Sequence, residues 1–285
     1  AILKRPDTDP LGIPTQTGTE YWQRRGSLVH TDTQGNDVAE PEGVRLYFWS
    51  SSQHTADPRQ ERPRKAVTDH YLNVTQTSML ARAMLDALDK WATLGEAPPP
   101  SQVPRVADGT LVPIEVWREQ FPIIPGASVP LEPNQLPHMD FGPDEGKGIL
   151  AQEPPIVLNE RGYTVLIPAV DADGNDSAGV RCPMVQAPLG TYVGWNIRAR
   201  GFAGGAMHEF SGGYIPLPED DQVRAATGDP RPSIIARYGN AAGYVAAIEK
   251  ASRALVADGF MLEEDVERCM ARAADWSRPL HDVKL

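Results

Sequence analysis

The sequence has no apolar stretch near the ~20 residues that a membrane-spanning helix needs, and cations are in the minority. With 27 Lys and Arg against 38 Asp and Glu, the 285 residues carry a formal net charge of −11. Clustered cations able to neutralise phosphates are missing, which argues against a nucleic-acid partner. The one basic run, residues 59–65, is interrupted by Glu61 and stiffened by prolines, and reads as a solvated loop. Cysteine is scarce too. Cys182 and Cys269 lie far apart without metal-ligand spacing, so both are expected to be free, and they do not decide the compartment. No signal peptide is visible, and a start of Ala-Ile-Leu-Lys without Met reads as a processed or truncated chain, leaving a soluble periplasmic or secreted protein open. The last absence concerns chemistry. No Gly-x-Ser-x-Gly, the strand-turn-helix motif that exposes a nucleophilic serine, occurs anywhere in the chain.

What is present suits a globular α/β protein. Hydrophobic residues make up 41% and charged residues 23%, while 27 prolines and 25 glycines call for extensive irregular structure. Residues 11–17 and 44–49 are strand candidates, and Thr19 can cap a short helix from Glu20. Residues 74–94 repeat apolar side chains at helical spacing, with Met79, Leu80, Ala83 and Met84 on one stripe expected to pack on a sheet. Three successive prolines mark 95–104 as a linker. Beyond it, Ala107-Asp108-Gly109-Thr110 suits a hairpin between 104–106 and 110–114, and the proline-dense stretch 116–160 should run as long loops. A further strand is expected at 163–170, turned by 171–176 and answered by 178–181. Helices follow at 218–226, 232–238, 241–257 and 263–276. The chain thus divides into an α/β part (1–95), a loop- and β-rich part (96–218) and a helical part (219–285).

Both leading strands end in polar loops that carry titratable groups. The first offers Glu20 and the second offers His54. A histidine just past a strand reaches the carboxyl edge of a sheet, where α/β sites lie. There it can serve as general base and then general acid, while a neighbouring carboxylate orients it. An acid after one strand and a histidine after the next is the α/β-hydrolase order of the last two triad members. Asp32 and Asp37 are competing acids. Ser211 is not preceded by the required glycine, and Ser50, Ser51 and Ser52 fall on the histidine's own strand, so none suits the nucleophile. His208-Glu209 lacks the second histidine of a zinc site. The acidic segment 171–176 lacks the calcium-loop glutamate and reads as a turn. No metal or cofactor is expected. Trp22, Tyr192, Trp195 and Tyr214 are either core packing or the lining of an apolar substrate pocket.

Several strings carry a resemblance. They are Thr19-Glu20-Tyr21-Trp22, the strand ending Gln53-His54, Ala107-Asp108-Gly109-Thr110-Leu111-Val112, Pro188-Leu189-Gly190-Thr191-Tyr192-Val193-Gly194-Trp195-Asn196, Ser211-Gly212-Gly213-Tyr214 and Thr227-Gly228-Asp229-Pro230-Arg231-Pro232-Ser233. Taken in order, the chain resembles bacterial α/β-hydrolase-domain proteins with large C-terminal extensions. The resemblance implies that this is the C-terminal part of such a hydrolase: the last strands of its sheet, a Pro/Gly-rich extension and a helical end. The nucleophile elbow would lie upstream of Ala1, and that segment would be the partner. The implied activity is serine-type hydrolysis of a small-molecule ester, with His54 as base and Glu20 as acid. The alternative is a non-catalytic module that binds a ligand or partner. A split sheet should also expose a strand edge and aggregate by itself.

Overall fold

In the computed structural model, which describes residue 5 and residues 7–55 and 63–275, the first two strands lie side by side and parallel. β1 (Thr15–Thr17) leads straight into helix α1 (Gly18–Gln23), and β2 (Tyr47–Trp49) pairs with β1 in the register Thr15↔Tyr47, Gln16↔Phe48, Thr17↔Trp49. A bridge between Gly12 and Val44 carries the pairing back along both apolar runs. β2 is buried on both faces, as expected of an inner parallel strand with an unbroken apolar sequence. Its side chains alternate: Tyr47 and Trp49 join a cluster with Met79, Leu80 and Phe260, while Leu46 and Phe48 join Tyr21, Val103 and Leu111.

The edge of β2 away from β1 is also occupied. The Phe48 N–H donates to the Gln102 carbonyl at 2.8 Å, and the Val180 N–H donates to the Phe48 carbonyl at 2.8 Å. Val180 was expected to answer the strand at 163–170; it bridges Trp49 instead. Helix α2 (Ser78–Leu94) buries Met79, Leu80, Ala83 and Met84, and ends at Gly95, whose φ of +73° lets its N–H reach the Trp91 carbonyl at 3.1 Å. It starts later than the periodicity predicts. The Thr75 N–H is captured by Asn73 Oδ1 at 2.9 Å, a side-chain bond that competes with the first helical turn.

Three expectations for the middle of the chain are corrected. β3 (Leu111–Val112) makes no hairpin with 104–106; it pairs antiparallel with Ile167–Pro168, and α3 (Ile114–Gln120) begins where the hairpin arm should continue. The gain is burial, since Leu111, Val112 and Ile167 are all sealed from solvent. The stretch 116–160 holds not only loops but α3 and a hairpin of β4 (Pro137–Asp140) with β5 (Ile156–Gly162). Pro137 stands at the first residue of its strand, where a missing N–H is tolerated. The strand expected at 163–170 shrinks to β6 (Ile167–Pro168). The residues before it spend their amides elsewhere: the Thr164 N–H on the Thr33 carbonyl at 3.0 Å and the Leu166 N–H on Ser27 Oγ at 3.1 Å.

The last third carries α4 (Pro183–Gln186), the antiparallel pair β7 (Gly190–Val193) and β8 (Gly213–Pro216), then α5 (Asp221–Thr227), α6 (Ile234–Tyr238), α7 (Ala241–Ala257) and α8 (Glu264–Ala274). Residues 59–62 and Trp276, assigned above to a basic loop and a helix end, fall outside the described residues. Phe260, Met261 and Val266 pack into the same cluster as Tyr47 and Trp49, so the C-terminal helices share a core with the first strands. Arg82 of α2 reinforces this by donating to the fully buried Asp265 of α8 at 3.0 Å. Cys182 is buried and Cys269 half-buried, both are free, and burial pushes the Cys182 thiol up to about 12. No helix among the described residues is long and apolar enough to cross a membrane.

Candidate active site

Parallel pairing of β1 with β2 brings their C-terminal ends together, and with them the two loops that follow. Glu20 sits in the first turn of α1, where Thr17-Gly18-Thr19-Glu20 forms a capping box. The cap is thus Thr17, two residues before the expected Thr19. The Thr17 N–H donates to Glu20 Oε2 at 2.7 Å, and the Thr17 hydroxyl donates to the same oxygen. That leaves Oε1 facing the Nδ1 of His54, with which it forms a short hydrogen bond. Glu20 therefore closes its own helix and holds the histidine, one oxygen for each task.

The bond fixes the tautomer. A carboxylate accepts, so His54 carries its proton on Nδ1 and presents Nε2 as the basic nitrogen. The His54 side chain is 50% exposed and Glu20 only 18%, a sheltered acid behind an accessible base. The His54 backbone N–H donates to Thr19 Oγ1 at 3.2 Å, and the Thr19 hydroxyl donates to the Gly194 carbonyl at 2.8 Å. Phe210, in the left-handed region at φ +61°, places its ring 5.0 Å from the imidazole and 4.8 Å from the Arg24 guanidinium. The histidine is thus walled by an aromatic face. Thr17 was legible as a T-x-x-E signature; Gly194 and Phe210 carry no local signal.

Gly194 matters because two backbones meet there. A Cβ at this position would lie 2.0 Å from the Gly18 carbonyl carbon and 2.3 Å from the Thr19 nitrogen. Gly194→Ala is expected to cost about 3 kcal/mol and to push α1 off β7. Gly95→Ala is the comparison: nothing lies within 4 Å of its Cβ, and only the left-handed backbone opposes it, at about 1 kcal/mol. Urea denaturation of both checks this; equal losses would show that close approach is not the constraint.

The remaining candidates divide clearly. Asp32 accepts from the Gln34 and Asn36 amides, and Asn36 holds its carboxyl below the usual range. Asp37 accepts from the Ala107 N–H at 2.9 Å. Neither bonds to His54. Ser50 donates to the Ala178 carbonyl and Ser52 to the Trp49 carbonyl, while Ser51 Oγ accepts the Asp176 N–H; all three are buried. Ser211 Oγ lies 2.8 Å from His208 Nδ1, so the described hydroxyls leave His54 Nε2 unbonded. The acidic segment is a turn: Asp171 accepts from the Asp173 and Asn175 amides and pairs with Arg181 at 2.6 Å. Among the described residues, no group of His, Cys, Asp and Glu is placed to hold a metal.

Trp22 and Trp195 are buried against Trp117 in one aromatic cluster, with ring centroids 4.9 and 6.1 Å from it. Tyr192 stacks on Tyr214 at 5.1 Å. Of the four aromatic candidates, Tyr214 alone lines a partly open cavity of about 850 Å³, beside His70, Leu217 and Ile234. Neither Glu20 nor His54 lines it. Burial holds His70 below its usual range, and its Nε2 donates to the Ser128 carbonyl at 2.7 Å.

The structure thus bonds an acid to a histidine at the ends of adjacent parallel strands. The family model described as alpha/beta hydrolase domain matches residues 4–271. The chain belongs to that family. No curated protein and no solved structure matches it. As a member, the protein is of α/β class and of hydrolase type.

Proposed function

We propose that the protein supplies the acid and the histidine of a serine-type carboxylic-ester hydrolase whose nucleophile lies outside this chain. The carrying observation is the Glu20–His54 bond at the ends of β1 and β2, with Nε2 free of any described hydroxyl. In this reading, Nε2 takes the serine proton as the oxygen attacks the ester carbonyl, and Glu20 stabilises the imidazolium that results. The imidazolium then protonates the departing alkoxide, and a water activated by the same nitrogen releases the acid. The substrate is a small ester, with Phe210 forming one wall beside the imidazole. Residues 1–95 would carry the catalytic strands, with 96–218 and 219–285 as the extension packed around them.

A fluorophosphonate that modifies activated serines tests this. The chain should stay unlabelled, whereas a protein extended by the coding sequence upstream of Ala1 should be labelled at a Gly-x-Ser-x-Gly serine, in a manner that requires His54. Labelling of Ser211 in the chain alone, or none in the extended protein, overturns the proposal. The cavity beside Tyr214 favours a second reading, a ligand-binding module without catalysis; that reading gains if the extended protein stays unlabelled.

A further inference from the structure

We propose that Asp176, which makes no hydrogen bond to Glu20 or His54, is a positioning residue for the histidine, acting through the backbone of Ser51. The inference rests on reading His54 as the catalytic base. Residues 50–53 form the turn between β2 and His54, and Ser51 stands in it at φ +56°. That left-handed conformation is unfavourable for a residue with a side chain, so it persists only if its surroundings impose it.

The surroundings are specific. The Ser51 N–H donates to Asp176 Oδ2 at 2.6 Å, and the Asp176 N–H donates back to Ser51 Oγ at 2.7 Å. The Ser51 carbonyl accepts from Asn73 Nδ2 at 2.8 Å and from the Thr75 hydroxyl at 3.3 Å. Both Ser51 and Asp176 are buried, so water cannot replace these partners. The same Asn73 amide also reaches the Val193 carbonyl, next to the Gly194 that receives Thr19. The turn is thus clamped at Ser51 and again at the His54 N–H, and the imidazole direction follows from both clamps. Without the Asp176 carboxyl, the Ser51 N–H is a buried donor with no acceptor. The turn then relaxes toward an ordinary backbone conformation and carries His54 away from Glu20.

The groups bearing on Asp176 are Arg181, Asp171 and Tyr21, besides Ser51 itself. Burial raises the carboxyl to about 7, against the opposing Ser51 bonds and Arg181. Asparagine is therefore a close stand-in for its protonated form and still offers an oxygen to Ser51.

The test is NMR of the chain with labelled histidine, following the far-downfield Nδ1 proton of the His54–Glu20 bond. Glu20→Gln assigns that signal by removing it. Asp176→Ala should abolish or broaden it, Asp176→Asn should retain it, and the core variant Leu255→Ala, outside this network, should leave it intact. If Asp176→Ala does not fold, Asp176→Ser, too short to reach the Ser51 amide, takes its place. In the extended protein, Asp176→Ala should lower kcat about tenfold at unchanged KM. Retention of the proton in folded Asp176→Ala, or equal loss in Leu255→Ala, overturns the proposal. Failure of the hydrolase reading would show separately, as absent phosphonate labelling with the Asp176-dependent proton still present.

Discussion

Replacing His54 by alanine is expected to lower kcat for ester hydrolysis about 10⁴-fold in the protein that carries the nucleophile, with KM little changed. The reason is that the proposed mechanism assigns both proton transfers to a single nitrogen, Nε2, and no other described imidazole stands beside Glu20. Thermal stability should hardly move, because the side chain is half-exposed and its main partner also serves the α1 cap. Glu20→Gln should cost less, about 10²–10⁴-fold, since the imidazole remains but loses the carboxylate that sets its tautomer and balances its charge. Glutamine keeps an oxygen for the Thr17 amide, so the helix cap should survive. Steady-state hydrolysis of a p-nitrophenyl ester by the extended protein measures both. Unchanged hydrolysis by the His54 variant would remove the triad assignment.

The second large effect concerns stability. Arg231 is 1% exposed and its guanidinium is fully engaged. It donates to Asp229 at 2.7 and 3.0 Å, to Thr191 Oγ1 at 2.8 Å, and to the carbonyls of Ile215 and Pro216 at 3.1 and 2.8 Å. It thereby joins the end of β8 to β7 and to the turn before α6. Arg231→Met keeps most of the bulk but removes every guanidinium bond, and it leaves the buried Asp229 carboxylate without a cation, holding only the backbone N–H of residue 231 at 2.9 Å. The expected loss is about 3–5 kcal/mol, which lowers Tm by about 6–20 °C at this chain length. Because most of that cost is the stranded charge, the double variant Arg231→Met, Asp229→Leu should be more stable than Arg231→Met alone. Urea denaturation of both decides it. A double variant worse than the single would mean the pair's hydrogen bonds, rather than charge balance, dominate.

Neighbouring residues in the sequence revealed much of the local structure. The unbroken apolar run into Trp49 marked the inner strand, and the spacing of Met79, Leu80, Ala83 and Met84 marked the buried face of α2. Residues 241–257 matched α7 to the residue, because asparagine at the start and a regular apolar face are local signals. The pairings of the middle region were not legible. Leu111 and Ile167 are far apart in the chain, and nothing near either names the other. The turn at Gly109 formed without its hairpin, because burying Leu111 and Val112 against a remote strand outweighed the local partner.

Sequence by itself determined that Glu20 and His54 each follow a strand, and that no Gly-x-Ser-x-Gly accompanies them. Chain order and local pattern are enough for that. Only the tertiary structure decided that the two strands are parallel neighbours and that Glu20 divides its oxygens between Thr17 and His54. It alone placed Gly18 against Gly194, Phe210 beside the imidazole and Asp176 beneath Ser51. Apart from the Thr17–Glu20 cap, these contacts join residues dozens to well over a hundred positions apart. Their geometry is set by close packing and by the need of every buried amide for an acceptor, which the fold supplies only once it is closed.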